Sequence, residues 1–249
     1  MKKRSLLAAV PAAFMALSGM SVANAEPAPP ATEPPTTKIV GGVPASQTYS
    51  FMVSLQSSAG RHSCGGSLVA PSWVVTAAHC GTPYQVRIGT TTYNSGGEVR
   101  RVAARQTLGG DVAMLRLASP ASSAPVTIAT SAPVGSATRL LGWGQTCPVR
   151  GCGPAPVGLR QLDTRILSDA QCRGISSAEL CIEGGGGRGA CYGDSGGPAL
   201  IGSSGRWQLV GATSRGTAST CATSPAIYGD VTAYRTRILQ IIGSSAVNG

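Results

Sequence analysis

Lysine is missing from this 249-residue chain after Lys38, and acids, aromatics and histidines are scarce: ten Asp and Glu together, two Phe, two His. So low a charge content, with abundant Gly, Ser, Thr and Val, points away from long charged helices and toward an all-β protein with many turns. No Cys-x-x-Cys pair occurs, so the usual spacing of a structural zinc site is absent. Basic residues are not interleaved with aromatics, which leaves the positive charge without the signature of specific nucleic-acid binding. After residue 25 no apolar run is long enough to span a bilayer, so no membrane anchor is expected.

What is present begins with a leader. Residues 1–25 have a basic start (Lys2, Lys3, Arg4), an apolar run from Leu6 to Leu17 interrupted by Pro11, and the small-residue ending Ala23-Asn24-Ala25. That is the pattern of a cleaved secretory signal peptide, and it predicts a secreted, extracellular product. Residues 26–38 carry five prolines, which exclude regular helix or central strand and predict an extended, cleavable pro-segment. Loss of both segments removes Lys2, Lys3, Arg4, Lys38, Glu26 and Glu33. The mature chain then has 16 arginines against 8 acids, a net charge of +8. A solvated basic surface is the simplest reading of that excess, and adsorption to anionic polymers is the alternative.

From residue 51 on, short alternating runs of strand length recur between turn residues. The first set is Phe51–Leu55, Ser67–Ala70, Trp73–Thr76, Gln85–Ile88, Glu98–Val102 and Val112–Leu117. The Pro/Ala/Ser-rich 118–133 stretch separates it from a second: Thr138–Leu141, Leu159–Leu167, Glu179–Ile182, Pro198–Ile201, Trp207–Thr213 and Ala226–Gly229. Near the end, Tyr234, Ile238, Leu239 and Ile242 recur at helical spacing and predict a packing helix.

Chemistry concentrates in Gly193-Asp194-Ser195-Gly196-Gly197-Pro198, where glycines let the backbone bend sharply around one hydroxyl. A serine alone is a poor nucleophile and needs a base and an acid to orient that base. His79 stands in Thr76-Ala77-Ala78-His79-Cys80, and Asp111 opens Asp111-Val112-Ala113-Met114-Leu115. A fourth string, Ile39-Val40-Gly41-Gly42, follows Lys38. One such string could arise by chance, but four in this order resemble the chymotrypsin-like (trypsin superfamily) serine endopeptidases, from Ile39 to about Ile242.

The resemblance implies two six-stranded antiparallel β-barrels, spanning about 39–125 and 126–231 within a 39–249 protease domain, with the active site in the cleft between them and a C-terminal helix. It implies Ser195 as nucleophile, His79 as proton shuttle, Asp111 as the carboxylate that orients it, and the N–H groups of Gly193 and Ser195 as the oxyanion hole. Cleavage of Lys38–Ile39 would free an α-ammonium to pair with Asp194 and shape the site. His62 matches a position that hydrogen-bonds Asp194 before that cleavage, and a plain structural histidine is its other reading.

The pocket implied for the substrate side chain involves Gly189, Ala190, Tyr192, Ser214, Arg215, Gly216 and Ala226. Trypsin-like members carry an aspartate where this chain has Gly189, so an apolar primary specificity is expected rather than Lys or Arg. Arg215 replaces the tryptophan usual before Gly216, and with Arg188 raises a lesser alternative, an acidic substrate residue.

Eight cysteines in an exported chain read as disulfides, with pairing open from sequence alone. The resemblance implies Cys64–Cys80, Cys172–Cys181 and Cys191–Cys221, and leaves Cys147–Cys152. Between His79 and Asp111 only Glu98 is acidic, too little charge for a calcium loop. No metal or cofactor is expected. The expected partners are protein or peptide substrates and an activating protease, for a monomer.

A catalytically inactive relative that binds anionic surfaces through its arginines is the competing reading, and the intact Ser, His and Asp count against it. An α/β-hydrolase esterase is excluded by the order His, Asp, Ser.

Overall fold

The computed structural model describes residues 39–247; the proposed signal peptide, pro-segment and Lys38 lie outside them. In chain order the strands are β1 (Val43–Pro44), β2 (Met52–Gln56), β3 (His62–Ala70), β4 (Trp73–Ala77), β5 (Gln85–Ile88), β6 (Glu98–Gly109) and β7 (Val112–Leu117). There follow β8 (Thr127–Ile128), β9 (Ala137–Gly142), β10 (Arg160–Leu167), β11 (Glu179–Ile182), β12 (Pro198–Ile201), β13 (Gln208–Gly216) and β14 (Ala226–Asp230), then helix α1 (Arg235–Val247).

Strands β2-β3-β4-β7-β6-β5 close into the first barrel. The second closes in the order β9-β12-β13-β14-β11-β10, because β10 pairs with β9 over six residues as well as with β11. All barrel pairings are antiparallel, while β1 adds to β10 and β8 lies parallel to β13. Closure leaves neither sheet with a long exposed edge.

Alternation explains which faces are buried. Val86 and Ile88 of β5 point inward while Gln85 and Arg87 are only half-buried, and Val53, Leu55, Leu68, Val74 and Met114 complete the first core. Leu140, Leu162, Ile166, Leu180, Ile182, Val210 and Tyr228 fill the second. Trp143, fully buried, joins Leu141, Leu200, Leu209 and Ile238 to the larger cluster.

Three expectations from sequence need correction. Strand β3 starts at His62 rather than Ser67, since the glycines at 65 and 66 allow close approach of neighbours: a Cβ on Gly65 would sit 2.8 Å from Gly197 Cα. Strand β6 runs on to Gly109, because its pairing with β7 continues across two register shifts. In α1, Ile238 is buried as expected but Leu239 is 46% exposed, so the apolar stripe is narrower than its spacing suggested.

Candidate active site

His79 sits in a single 3₁₀ turn (Ala78–Cys80) directly after β4, and Cys80 of that turn is bonded to Cys64 of β3. Asp111 lies in the β6–β7 turn at φ +58°, preceded by Gly109 and Gly110, both also at positive φ. The turn is held against the His79 segment by Ala78 N–H donating to the Asp111 carbonyl at 2.7 Å. His79 then gives Asp111 two more contacts, its backbone N–H to Oδ1 at 2.9 Å and Nδ1 to Oδ2 at 2.7 Å. Ser214, from β13 of the other barrel, donates its hydroxyl to the same Oδ2 at 2.6 Å.

These contacts set the charges. The hydrogen bond to Asp111 raises the His79 pKa above its ordinary 6.5, against partial burial. Burial works to raise the Asp111 pKa, but the bonds from His79 and Ser214 outweigh it and hold the carboxyl below its ordinary range. The result is an ionised aspartate and an imidazole whose Nδ1 is occupied, leaving Nε2 for chemistry.

The Ser195 turn is pinned from both barrels. Gly65 N–H of β3 donates to the Ser195 carbonyl at 2.7 Å, and Gly196 N–H donates to the Thr213 carbonyl at 2.8 Å. Gly196, at φ +74°, has Thr76 Oγ1 and the Gly65 carbonyl where a Cβ would go, so only glycine fits. The N–H groups of Gly193 and Ser195 have no hydrogen-bond partner among the described residues, so both stay free to act as donors.

Behind this turn, Asp194 is fully enclosed. Its carboxylate accepts from Gly144 N–H and Cys191 N–H, each at 2.8 Å, and Gly142 and Gly144 lie so close that a Cβ on either would overlap it. Burial raises its pKa to about 7 despite those two bonds. Ile39 is buried too, and Gly189 N–H donates to the Val40 carbonyl at 2.9 Å, which anchors the start of the described chain beside Gly189.

Of its two expected roles, His62 shows the structural one. Its Nε2 is 3.0 Å from the Gly193 carbonyl and its Nδ1 2.9 Å from Ser54 Oγ, with no contact to the Asp194 carboxylate. The ring stacks on Tyr93 and meets Trp143 edge-on, and burial lowers its pKa to about 4.

A cavity of about 460 Å³ contains His79 and Ser195 in its wall and extends past Ala190, Gly216 and Gly189 to Ala226. It brings together all the expected substrate-binding positions. The lining includes no carboxylate, and its charged side chains are Arg150 and Arg215. Arg188 lies outside it, donating to the Asp163 carbonyl at 3.0 Å. Arg215 is held by Glu179 through contacts of 2.5 and 2.9 Å and by the Gly174 carbonyl at 2.9 Å. Nothing in the sequence marked Glu179 as its partner, since the two are 36 residues apart.

The same four cysteine pairs are joined: 64–80, 147–152, 172–181 and 191–221. Cys64 and Cys80 lie near His79, but sulfurs bonded to each other offer no thiolate to a metal. Glu98 is engaged by Arg100, Ser122 and Ser123.

A carboxylate-held imidazole, a serine on a two-donor turn and a pocket leading away from it form the equipment of an acyl-transfer hydrolase. A family model described as Trypsin matches residues 39–238. Trypsin alpha-4 of Lucilia cuprina is 35% identical, with 83% of this chain and 88% of the relative covered. Trypsin alpha of Drosophila erecta and of Drosophila melanogaster are 33% and 32% identical over the same shares. The chain belongs to the trypsin family, and it is a serine endopeptidase.

Proposed function

We propose that this protease is exported as an inactive precursor, activated by cleavage at Lys38–Ile39, and then cuts peptide bonds after apolar residues. Ser195 Oγ attacks the carbonyl carbon as His79 Nε2 takes its proton, and ionised Asp111 stabilises the imidazolium through Nδ1–H. The N–H groups of Gly193 and Ser195 hold the oxyanion. His79 returns the proton to the leaving amine, and water, activated by the same nitrogen, releases the acyl group. Activation follows from Asp194: a carboxyl buried with two N–H donors and no cation among the described residues is poised to receive the new ammonium of Ile39. The leader and pro-segment support export, and no helix among the described residues is long and apolar enough to cross a membrane.

The apolar specificity rests on one observation, that no carboxylate lines the cavity beside Ser195. The relatives carry the name trypsin, yet trypsin-like members place an aspartate where this chain has Gly189. Burying an unpaired Lys or Arg side chain there would cost several kcal/mol. Peptides varied only at the residue before the cut provide the test. Phe, Tyr, Leu or Met should be preferred, and a preference for Arg or Lys would overturn the assignment.

A further inference from the structure

The rim of the same cavity carries a cation that catalysis does not use. Arg150 lies within the loop closed by Cys147–Cys152, and its guanidinium carbon is 5.2 Å from the centre of the Tyr192 ring. The loop is fastened where it meets the pocket. Gln145 N–H donates to the Tyr192 carbonyl at 2.7 Å, and Cys221 N–H donates to the Pro148 carbonyl at 3.0 Å. The Gln145 side chain accepts from Gly151 N–H and donates to the Gly153 carbonyl, both at 3.2 Å. Tyr192 is fixed in turn by its hydroxyl, which donates to the Ser219 carbonyl at 3.1 Å.

Arg150 therefore stands at the cavity mouth on a braced loop, and among the described residues no carboxylate pairs with it. The other lining cation, Arg215, is matched by Glu179. Guanidinium resting on a tyrosine ring keeps N–H donors for a carboxylate, which it can meet with two parallel bonds. We propose that Arg150 is a specificity-determining residue, selecting substrates with an aspartate or glutamate within two residues of the cleaved bond. This rests on the endopeptidase mechanism proposed above.

The experiment uses the activated full protease and peptides that share one apolar residue before the cut and differ only as Asp or Asn at the position preceding that residue or at either of the two positions after the cut. Active sites are counted with a fluorophosphonate, and kcat/KM is compared as the Asp-to-Asn ratio. At low salt, at least one position should favour Asp by about 1.5- to 5-fold, the range of an exposed ion pair, and added salt should shrink the preference. Arg150→Gln should bring the ratio to about one and Arg150→Glu should invert it. Arg206→Gln, which removes an exposed charge outside the cavity, should leave it unchanged. Equal ratios in the wild-type protein and Arg150→Gln, with hydrolysis intact, overturn the role of Arg150 alone. An equal loss with Arg206→Gln overturns it in favour of overall charge. If no peptide is cut and no fluorophosphonate is bound, the mechanism falls and this inference with it.

Discussion

Two His and Asp sets lie on opposite sides of the Ser195 turn, and they behave in opposite ways. In front, His79 is half-exposed with its pKa raised and Asp111 has its pKa lowered, because each is the other's partner. Behind, His62 is pushed down to about 4 and Asp194 up to about 7, because burial outweighs their bonds to neutral backbone groups. The same two residue types thus favour the charged pair on one side and disfavour charge on the other. Solvent access and partner charge make the difference.

The front set should be the more sensitive to change. Asp111→Asn, which keeps the shape and removes the charge, should lower kcat by about 10⁴-fold, the loss known when such an imidazole is left in the wrong tautomer. Correctly folded Asp111→Asn with near wild-type turnover would show that the carboxylate does not orient His79.

The back set should respond to the state of Ile39. Blocking the Ile39 amine by acetylation after cleavage should lower activity on the order of 10²-fold, the scale of a lost oxyanion donor. Full activity of the blocked enzyme would rule out the ammonium switch.

Stability against pH separates the uncut chain from the cut one. In the uncut chain Asp194 holds its proton up to about pH 7, whereas an unfolded aspartate releases it near 3.8. The folded state then binds more protons across that window, so stability falls as pH rises through it, by about 4 kcal/mol at most. His62 acts with the opposite sign: its unfolded form takes a proton below 6.5 and its folded form only below about 4, so its contribution falls as pH drops through that window. Denaturant titrations should show Asp194→Asn flattening the high-pH loss in the uncut chain, and a loss of unchanged size would sink the assignment.

The smallest effect concerns His79. Hydrolysis should rise with pH through a midpoint above 6.5, since only the neutral imidazole accepts the serine proton and Asp111 favours the charged form. The residual activity of Asp111→Asn should have a lower midpoint, and an unmoved midpoint would detach the titration from this pair.

Local patterns made much of this molecule legible. Alternating apolar runs mark the barrel strands, the glycines around Ser195 mark a backbone forced into close approach, and four ordered motifs name the family and fold. Those signals are contained within a few residues of chain, so sequence by itself carries them. Partners drawn from distant segments were a different matter. That Arg215 turns onto Glu179, that His62 meets Gly193 rather than Asp194, and that Arg150 rests on Tyr192 at the cavity mouth depend on packing between strands and loops 36, 131 and 42 positions apart. Charge and hydrogen-bonding type were already written in those side chains. Which group would face each of them, and how much water would remain between, was decided only when the barrels closed and brought the loops together.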